Sequence, residues 1–188
     1  VGLDLKLGDQ RFRQTGRVLI THRGLSGPAT LRLSAFAARA LHQNRYKGEL
    51  KLDWSAGLGR SGLTERFQQW RQEQARRTLA AAKPFDHLPR RLWQAFLTMA
   101  GVEPERRWAD LPIKAERRLV ELLCAQRLSI QGRGPFGEEF VTAGGVALGE
   151  VNLATMESRR CPGLYLAGEL LDVDGVTGGF NFQACWSG

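Results

Sequence analysis

Leu3, Leu5 and Leu7 are separated by single polar residues, and the same period of two returns at Leu50, Leu52 and Trp54. A strand points successive side chains to opposite faces, so each of these segments must lay one apolar face on a core. Between them the period lengthens. Leu31, Leu33, Phe36, Ala37, Ala40 and Leu41 recur at roughly helical spacing, the signature of an amphipathic helix. The order of strands, one helix and a further strand points to an α+β arrangement with mainly antiparallel strands.

Local signals extend this reading. Gly8-Asp9 predicts a turn into a second strand from Gln10 to Arg13, and Val18 to Thr21 a third. Ser26 is a candidate N-cap for the helix, with Pro28 in its first turn and its end near His42. Residues 55–62 read as a glycine- and serine-rich loop. Helices are expected over 63–82, ended by Pro84, over 89–100, ended by Gly101, and over 113–125, with Asp110 as a cap for the last. Their Trp and Phe stripes read as packing between helices. Strand patterns resume at Leu128 and Ile130, at Phe140-Val141-Thr142 and at Val146 to Leu148. Leu164 to Ala167 lacks alternation and reads as a buried parallel strand.

At 188 residues and 43% hydrophobic content, the chain has material for one medium domain or somewhat more. No window approaches the roughly 18 apolar residues of a membrane span. Cys124, Cys161 and Cys185 are too scattered for a disulfide scaffold or a zinc site, and they read as reduced thiols of a cytoplasmic protein. The net charge of +8 hides an asymmetry: residues 1–133 carry +13 and residues 134–188 carry −5. Of 27 basic residues 22 are Arg, the side chain suited to planar anion recognition. One reading of residues 1–133 is therefore a basic binding module for nucleic acid or an acidic partner. A continuous stripe of Arg32, Arg39, Arg60, Arg66, Arg71, Arg76, Arg77, Arg90 and Arg91 would favour it, and scatter would favour simple solubilisation.

The chemistry concentrates in residues 142–188. The expected strand ends at Ala167-Gly168-Glu169, and a loop with Asp172, Asp174 and Gly175 follows. Thr177-Gly178-Gly179-Phe180-Asn181 then opens a helix. Glycines let a backbone approach a ligand, and a helix N-terminus presents N–H groups and the positive end of a dipole. Val1 at the start and the helical run up to Trp186 at the end suggest a piece of a longer protein, with some functional residues elsewhere.

The wording of this block carries a resemblance. Phe140 to Val146, Glu150-Val151-Asn152, Thr155 to Ser158, Pro162 to Tyr165 and Ala167 to Gln183 closely resemble the HI0933-like (YhiN/BaiN-type) family of bacterial flavoproteins. Thr21 to Pro28 looks like that family's TH-x-GLSGP motif, and Pro89 to Trp93 and Arg107 to Leu111 fit its helical insert. The resemblance implies an inserted domain over 1–136, a β unit with a helical subdomain at about 63–125. It also implies that residues 137–188 are the C-terminal segment of a Rossmann-like (α/β) FAD-binding domain, whose N-terminal half is absent here. It further implies an FAD-dependent oxidoreductase that takes hydride from NAD(P)H and passes it to a small-molecule substrate. Glu169 falls where related proteins meet the ribityl or pyrophosphate part of FAD. Thr177, Gly178, Gly179, Phe180 and Asn181 fall at the pyrimidine edge of the ring, and Gly144 and Gly145 in the returning loop near it.

Other candidates read more plainly. Gly57-Leu58-Gly59-Arg60-Ser61-Gly62 spells G-x-G-x-x-G but precedes an Arg-rich helix and has no acidic residue about 20 positions on, so it reads as a loop. His22 reads as a local hydrogen-bonding residue and Cys185 as a small buried hydrophobe. Asp172 and Asp174 have too few companions for a metal loop. No side chain stands out as a catalytic acid or base. Without its missing half the fragment is expected to be inactive, and it could associate with a second copy through its unpaired strand.

Overall fold

In the computed structural model of the chain, the Leu3-Leu5-Leu7 alternation forms strand β1 (Gly2–Leu7), with all three leucines almost fully buried. The structure describes residues 1–133, 143–176 and 178–187. β2 (Gln10–Thr15) returns across the two-residue turn at Gly8-Asp9. β5 (Gly48–Asp53) buries Leu50 and Leu52 as the alternation requires, and β6 (Gln126–Ile130) completes one sheet of order β2-β1-β5-β6.

β3 (Leu19–Thr21) and β4 (Gly24–Ser26) pair antiparallel, Leu19 opposite Ser26 and Ile20 opposite Leu25. The Thr21 hydroxyl closes this hairpin by donating to the Gly24 carbonyl at 3.0 Å and accepting from the Gly24 N–H at 3.2 Å. Ser26 therefore lies in a strand and does not cap the helix. The N-cap of α1 (Pro28–Gln43) is Gly27, at φ 94°. A Cβ there would sit 2.9 Å from the Leu19 nitrogen and 3.2 Å from the Arg17 carbonyl oxygen, so the chain reversal demands glycine. α1 buries Ala29, Leu33, Ala37 and Ala40. Leu31 and Phe36, expected on that stripe, are 45% and 56% exposed.

The chain divides into two compact units, Val1–Leu3 with Leu50–Leu128, and Asp4–Glu49 with Ser129–Gly188. The first holds α2 (Gly59–Glu73), α3 (Arg90–Met99) and α4 (Ile113–Ala125). Its centre is aromatic, as the helix stripes predict. Trp93 and Trp108 stack at 6.2 Å between ring centres, 8° from parallel, and Phe67 meets both edge-on at 6.4 and 5.6 Å. The buried indoles are satisfied: Trp93 Nε1 donates to Leu79 O at 2.7 Å and Trp108 Nε1 to Ala82 O at 2.8 Å. An unpaired indole N–H in such a core would cost about 1–3 kcal/mol.

Three local expectations are corrected in this unit. α2 begins at Gly59, inside the expected loop, so part of the G-x-G-x-x-G sequence forms its first turn. It ends at Glu73 rather than near 82, because the following backbone bonds elsewhere: Trp108 N to Arg77 O at 3.0 Å, Ala109 N to Ala75 O at 3.2 Å and Leu79 N to Arg106 O at 2.8 Å. Asp110 lies in a 3₁₀ turn (Trp108–Asp110), and Pro112 occupies the N-cap of α4 with no side-chain cap.

In the second unit, β7 (Val151–Asn152) and β8 (Glu157–Ser158) form an antiparallel hairpin. The expected buried parallel strand at 164–167 is not there. Tyr165 makes an antiparallel bridge to Glu157, Leu166 N donates to Met156 O at 2.9 Å, and Leu164 and Tyr165 are 47% and 64% exposed. An apolar run takes whichever ladder offers its backbone partners, and here that is β8. The strand expected at 140–142 lies outside the described residues.

Candidate functional site

Two glycine-bearing segments of the second unit meet at Leu171. Val146 makes a parallel bridge to Leu171: its N–H donates to Leu170 O at 2.8 Å, and its carbonyl accepts from Asp172 N at 3.0 Å. Gly145, just before, lies so close that a Cβ would fall 2.5 Å from the Leu171 carbonyl carbon. The close approach foreseen at Gly145 is thus to the chain's own backbone. Gly144 has open space where a side chain would be.

Glu169 sits in a 3₁₀ turn (Gly168–Leu170) and is exposed. A Cβ at Gly168 would lie 3.9 Å from Cys185 Sγ, so this turn adjoins helix α5 (Gly178–Ser187). Cys185 is half-buried and not the fully enclosed hydrophobe expected. Asn181 is the buried residue of that helix, at 6% exposure. Its Oδ1 accepts from Gly175 N at 2.6 Å and its Nδ2 donates to Gly175 O at 3.2 Å. The amide thereby clamps the incoming loop onto the first turn of the helix. Gly178, Gly179 and Phe180 are exposed, and Gly178 has no atom within 4 Å of a notional Cβ. Thr177 lies outside the described residues.

The loop is also tied to α1. Arg39 Nη2 donates to both carboxylate oxygens of Asp172, at 2.8 and 3.1 Å. Asp172 is thus held by a guanidinium, and among the described residues no group of three or more His, Cys, Asp and Glu gathers as for a metal ion. His22 is exposed, its Nε2 accepting from Arg23 Nε at 3.1 Å.

An open cleft of about 520 Å³ lies between β2 and α1, lined by Gln10, Arg11, Phe12, Phe36, Arg39 and Gln43 with Ala40. A second of about 200 Å³, lined by Ala35, Phe36, Arg39, Asp174 and Val176, shares Phe36 and Arg39 with it. No sequence pattern announced this groove, because Phe36 reads there as a core residue. Beside it, the hydrogen bonds from Arg11 hold the Asp4 carboxyl below the usual carboxylate range, outweighing the opposing effect of burial, and Arg13 adds to them. Arg11 Nε and Nη2 reach Asp4 at 2.5 and 2.6 Å, and Arg13 Nε at 3.1 Å.

Much of the arginine set is used internally. Arg71 bonds Glu116 at 2.5 Å, Arg66 lies 4.0 Å over the Trp70 ring, Arg77 reaches Ala81 O at 3.1 Å, and Arg32 reaches Thr15 O at 3.3 Å. Arg60, Arg76, Arg90 and Arg91 are exposed.

This architecture has known relatives. Residues 2–141 match the family described as "HI0933-like protein barrel and H2TH domain". The chain belongs to the HI0933-like family. It is 35% identical over 176 residues to a ribosomal RNA dihydrouridine synthase of Escherichia coli (strain K12), covering 94% of this chain and 40% of the relative. It is 32% identical over 175 residues to a 3-dehydro-bile acid delta(4,6)-reductase of Clostridium scindens, covering 92% and 42%. A ribosomal RNA dihydrouridine synthase of Haemophilus influenzae is 30% identical over 171 residues, covering 91% and 40%. The chain thus spans about two fifths of the length of these relatives.

Proposed function

We propose that the chain is part of a flavin-dependent oxidoreductase that reduces a carbon–carbon double bond conjugated to a carbonyl. One kind of relative is named a ribosomal RNA dihydrouridine synthase and the other a 3-dehydro-bile acid delta(4,6)-reductase, and such a reduction would suit both names. In this reading residues 1–136 are an inserted domain, and 137–188 belong to a Rossmann-like FAD-binding domain.

The observation that carries the proposal is the exposed N-terminus of α5. The first N–H groups of a helix have no partner inside it. Asn181 fixes the loop that leads into this turn, and Gly178 and Gly144 each have no atom within 4 Å of where a Cβ would stand. These residues fit FAD. When bound, FAD supplies hydride transfer, with NAD(P)H as the source of the hydride. The N–H groups of Gly178, Gly179 and Phe180 would face the electron-rich edge of the ring, a helix-end interaction worth about 0.3–2 kcal/mol. Glu169 would bind the ribityl chain or a pyrophosphate-linked hydroxyl. Asn181, occupied at Gly175, would position the turn.

Of the two substrate classes, an RNA-borne uracil fits the charge better: the chain carries +8 overall, and a polyanion gains from that field. The test is spectroscopic. The whole protein is expected to purify yellow with FAD and to bleach on addition of NADH or NADPH, and Glu169→Ala is expected to weaken FAD binding. A protein that stays colourless after reconstitution with excess FAD contradicts the proposal.

A further inference from the structure

We infer that the groove between β2 and α1 binds unpaired nucleotides of an RNA substrate, with Phe36 and Phe12 as stacking surfaces. The inference rests on the proposed action on RNA-borne uracil and deepens it by naming where the strand lies.

Phe36 is the starting observation. It sits on a helix whose buried face is made of alanines and a leucine, yet it is 56% exposed. Its ring lines both clefts, and Phe12 of β2 lines the larger one. Phe36 is exposed and Phe12 half-buried; accessible aromatic rings in a polar groove are what single-stranded nucleic acid uses, because every base has a π face and stacking needs no particular sequence.

The polar lining agrees. Arg11 and Arg39 stand at the groove, and each spends only part of its guanidinium on a carboxylate. Arg11 uses Nε and Nη2 on Asp4, and Arg39 uses Nη2 on Asp172. The other N–H groups of the two fixed guanidinium planes make no bond to another described residue and can meet phosphate oxygens. Gln10 and Gln43 carry both donors and acceptors, the pairing that base edges need. The wider field has the right sign: residues 4–49 carry nine Lys and Arg against three Asp and Glu. A small apolar ligand would draw no benefit from that field.

Position completes the case. The smaller cleft is also lined by Asp174 and Val176, in the loop that leads into α5. A strand lying along Phe12 and Phe36 would therefore also border that loop. Chemistry on a base requires the base to leave its stack, and neighbouring nucleotides must then be held in an unpaired form.

The experiment measures binding of a fluorescein-labelled oligouridylate of about 10 nucleotides, within the usual range of single-strand site sizes, to the 188-residue chain by anisotropy. Phe36→Ala is expected to weaken binding about tenfold, the loss of one stacked base. Phe36→Trp keeps a π face and is expected to retain the affinity. Arg39→Gln is expected to lower the salt dependence by about one phosphate contact. Arg91→Ala, on an exposed surface of the other unit, is expected to change nothing. Equal affinity in the wild type and Phe36→Ala overturns the inference. So does a hairpin duplex that binds as tightly as the single strand, or the absence of any oligonucleotide binding. The parent reading is scored separately, by dihydrouridine content after incubating the whole protein, FAD and NADPH with ribosomal RNA. Reduction with Phe36-independent binding removes the groove and leaves the reaction. Phe36-dependent binding without reduction removes the reaction and leaves the groove as an RNA site.

Discussion

The unit built on α2, α3 and α4 closes its apolar surface on itself, whereas the segment from Gly144 to Ser187 leaves much of its own in solvent. In the first, Trp93, Trp108, Phe67 and Phe96 are at most 1% exposed, and the indole N–H groups of the two tryptophans are paired. In the second, Leu164, Tyr165, Leu170, Phe180, Phe182 and Trp186 range from 47% to 87% exposed. Both segments are rich in large side chains, so hydrophobic content does not separate them. Both find backbone partners within their own unit, so the difference is whether those pairings bring large rings together. Residues 75–80 find theirs at 104–109, and that pairing brings Trp108 against Trp93. The glycine-rich segment is organised by a few backbone contacts around Leu171 and by one asparagine clamp.

The largest effect should come from the closed unit. Trp108→Ala removes an indole stacked on Trp93 and leaves Phe67 without one of its partners. The expected loss is about 3–5 kcal/mol in urea denaturation, as for other buried aromatic truncations. A loss under about 1 kcal/mol would place this core among surface sites and break the comparison.

Gly145→Ala comes next. The new methyl would collide with the Leu171 backbone at 2.5 Å, and neither chain segment is a flexible side-chain tip. A cost of about 1–3 kcal/mol is expected, as for overpacking. It should appear as lost protection around Val146 and Asp172, with α3 unaffected.

Trp186→Ser probes the open face. At 87% exposure the ring has little burial to lose, and the stability change should lie within about 0.5 kcal/mol. A loss of several times that amount would mean that α5 depends on a contact made by Trp186.

The smallest effect is electrostatic. Hydrogen bonds from Arg11, and then from Arg13, hold the Asp4 carboxyl below the usual range. Its contribution to stability is therefore present above the ordinary carboxylate range, and it is lost as pH falls through the lowered value. Arg11 is 53% exposed, so about 1 M salt should erase most of the contribution. Acid titration of Asp4→Asn beside the wild type checks the sign: the two should converge at low pH, and divergence there contradicts it.

How far the sequence was legible follows the same division. Strict alternation located β1 and β5, and the aromatic stripe of α3 and the aliphatic stripe of α4 located their buried faces, because these patterns are local. The end of α2 was not legible, since the backbone of 75–80 is captured by a segment about 30 residues away. β4 was hidden for a related reason: Gly24-Leu25-Ser26 becomes a strand only through its pairing with β3. The run at 164–167 read as buried and parallel because its composition carries no record of β8. In the candidate site, the sequence marks Gly145 as a place of close approach to a ligand, whereas the contact it makes is with the Leu171 backbone. The Asn181 clamp was not legible, because its partner is a backbone group six residues earlier. Phe36 was assigned to the core stripe because helical spacing alone does not fix which edge of a wide apolar arc is covered.

Hydrogen exchange across the 188-residue chain tests the central contrast most directly. Amides of α2, α3 and α4 should exchange only through global opening, with a common denaturant dependence, while those of α5 should exchange through local opening well below it. Equal protection in α5 and α3, or rapid exchange throughout α2, α3 and α4, would contradict the account.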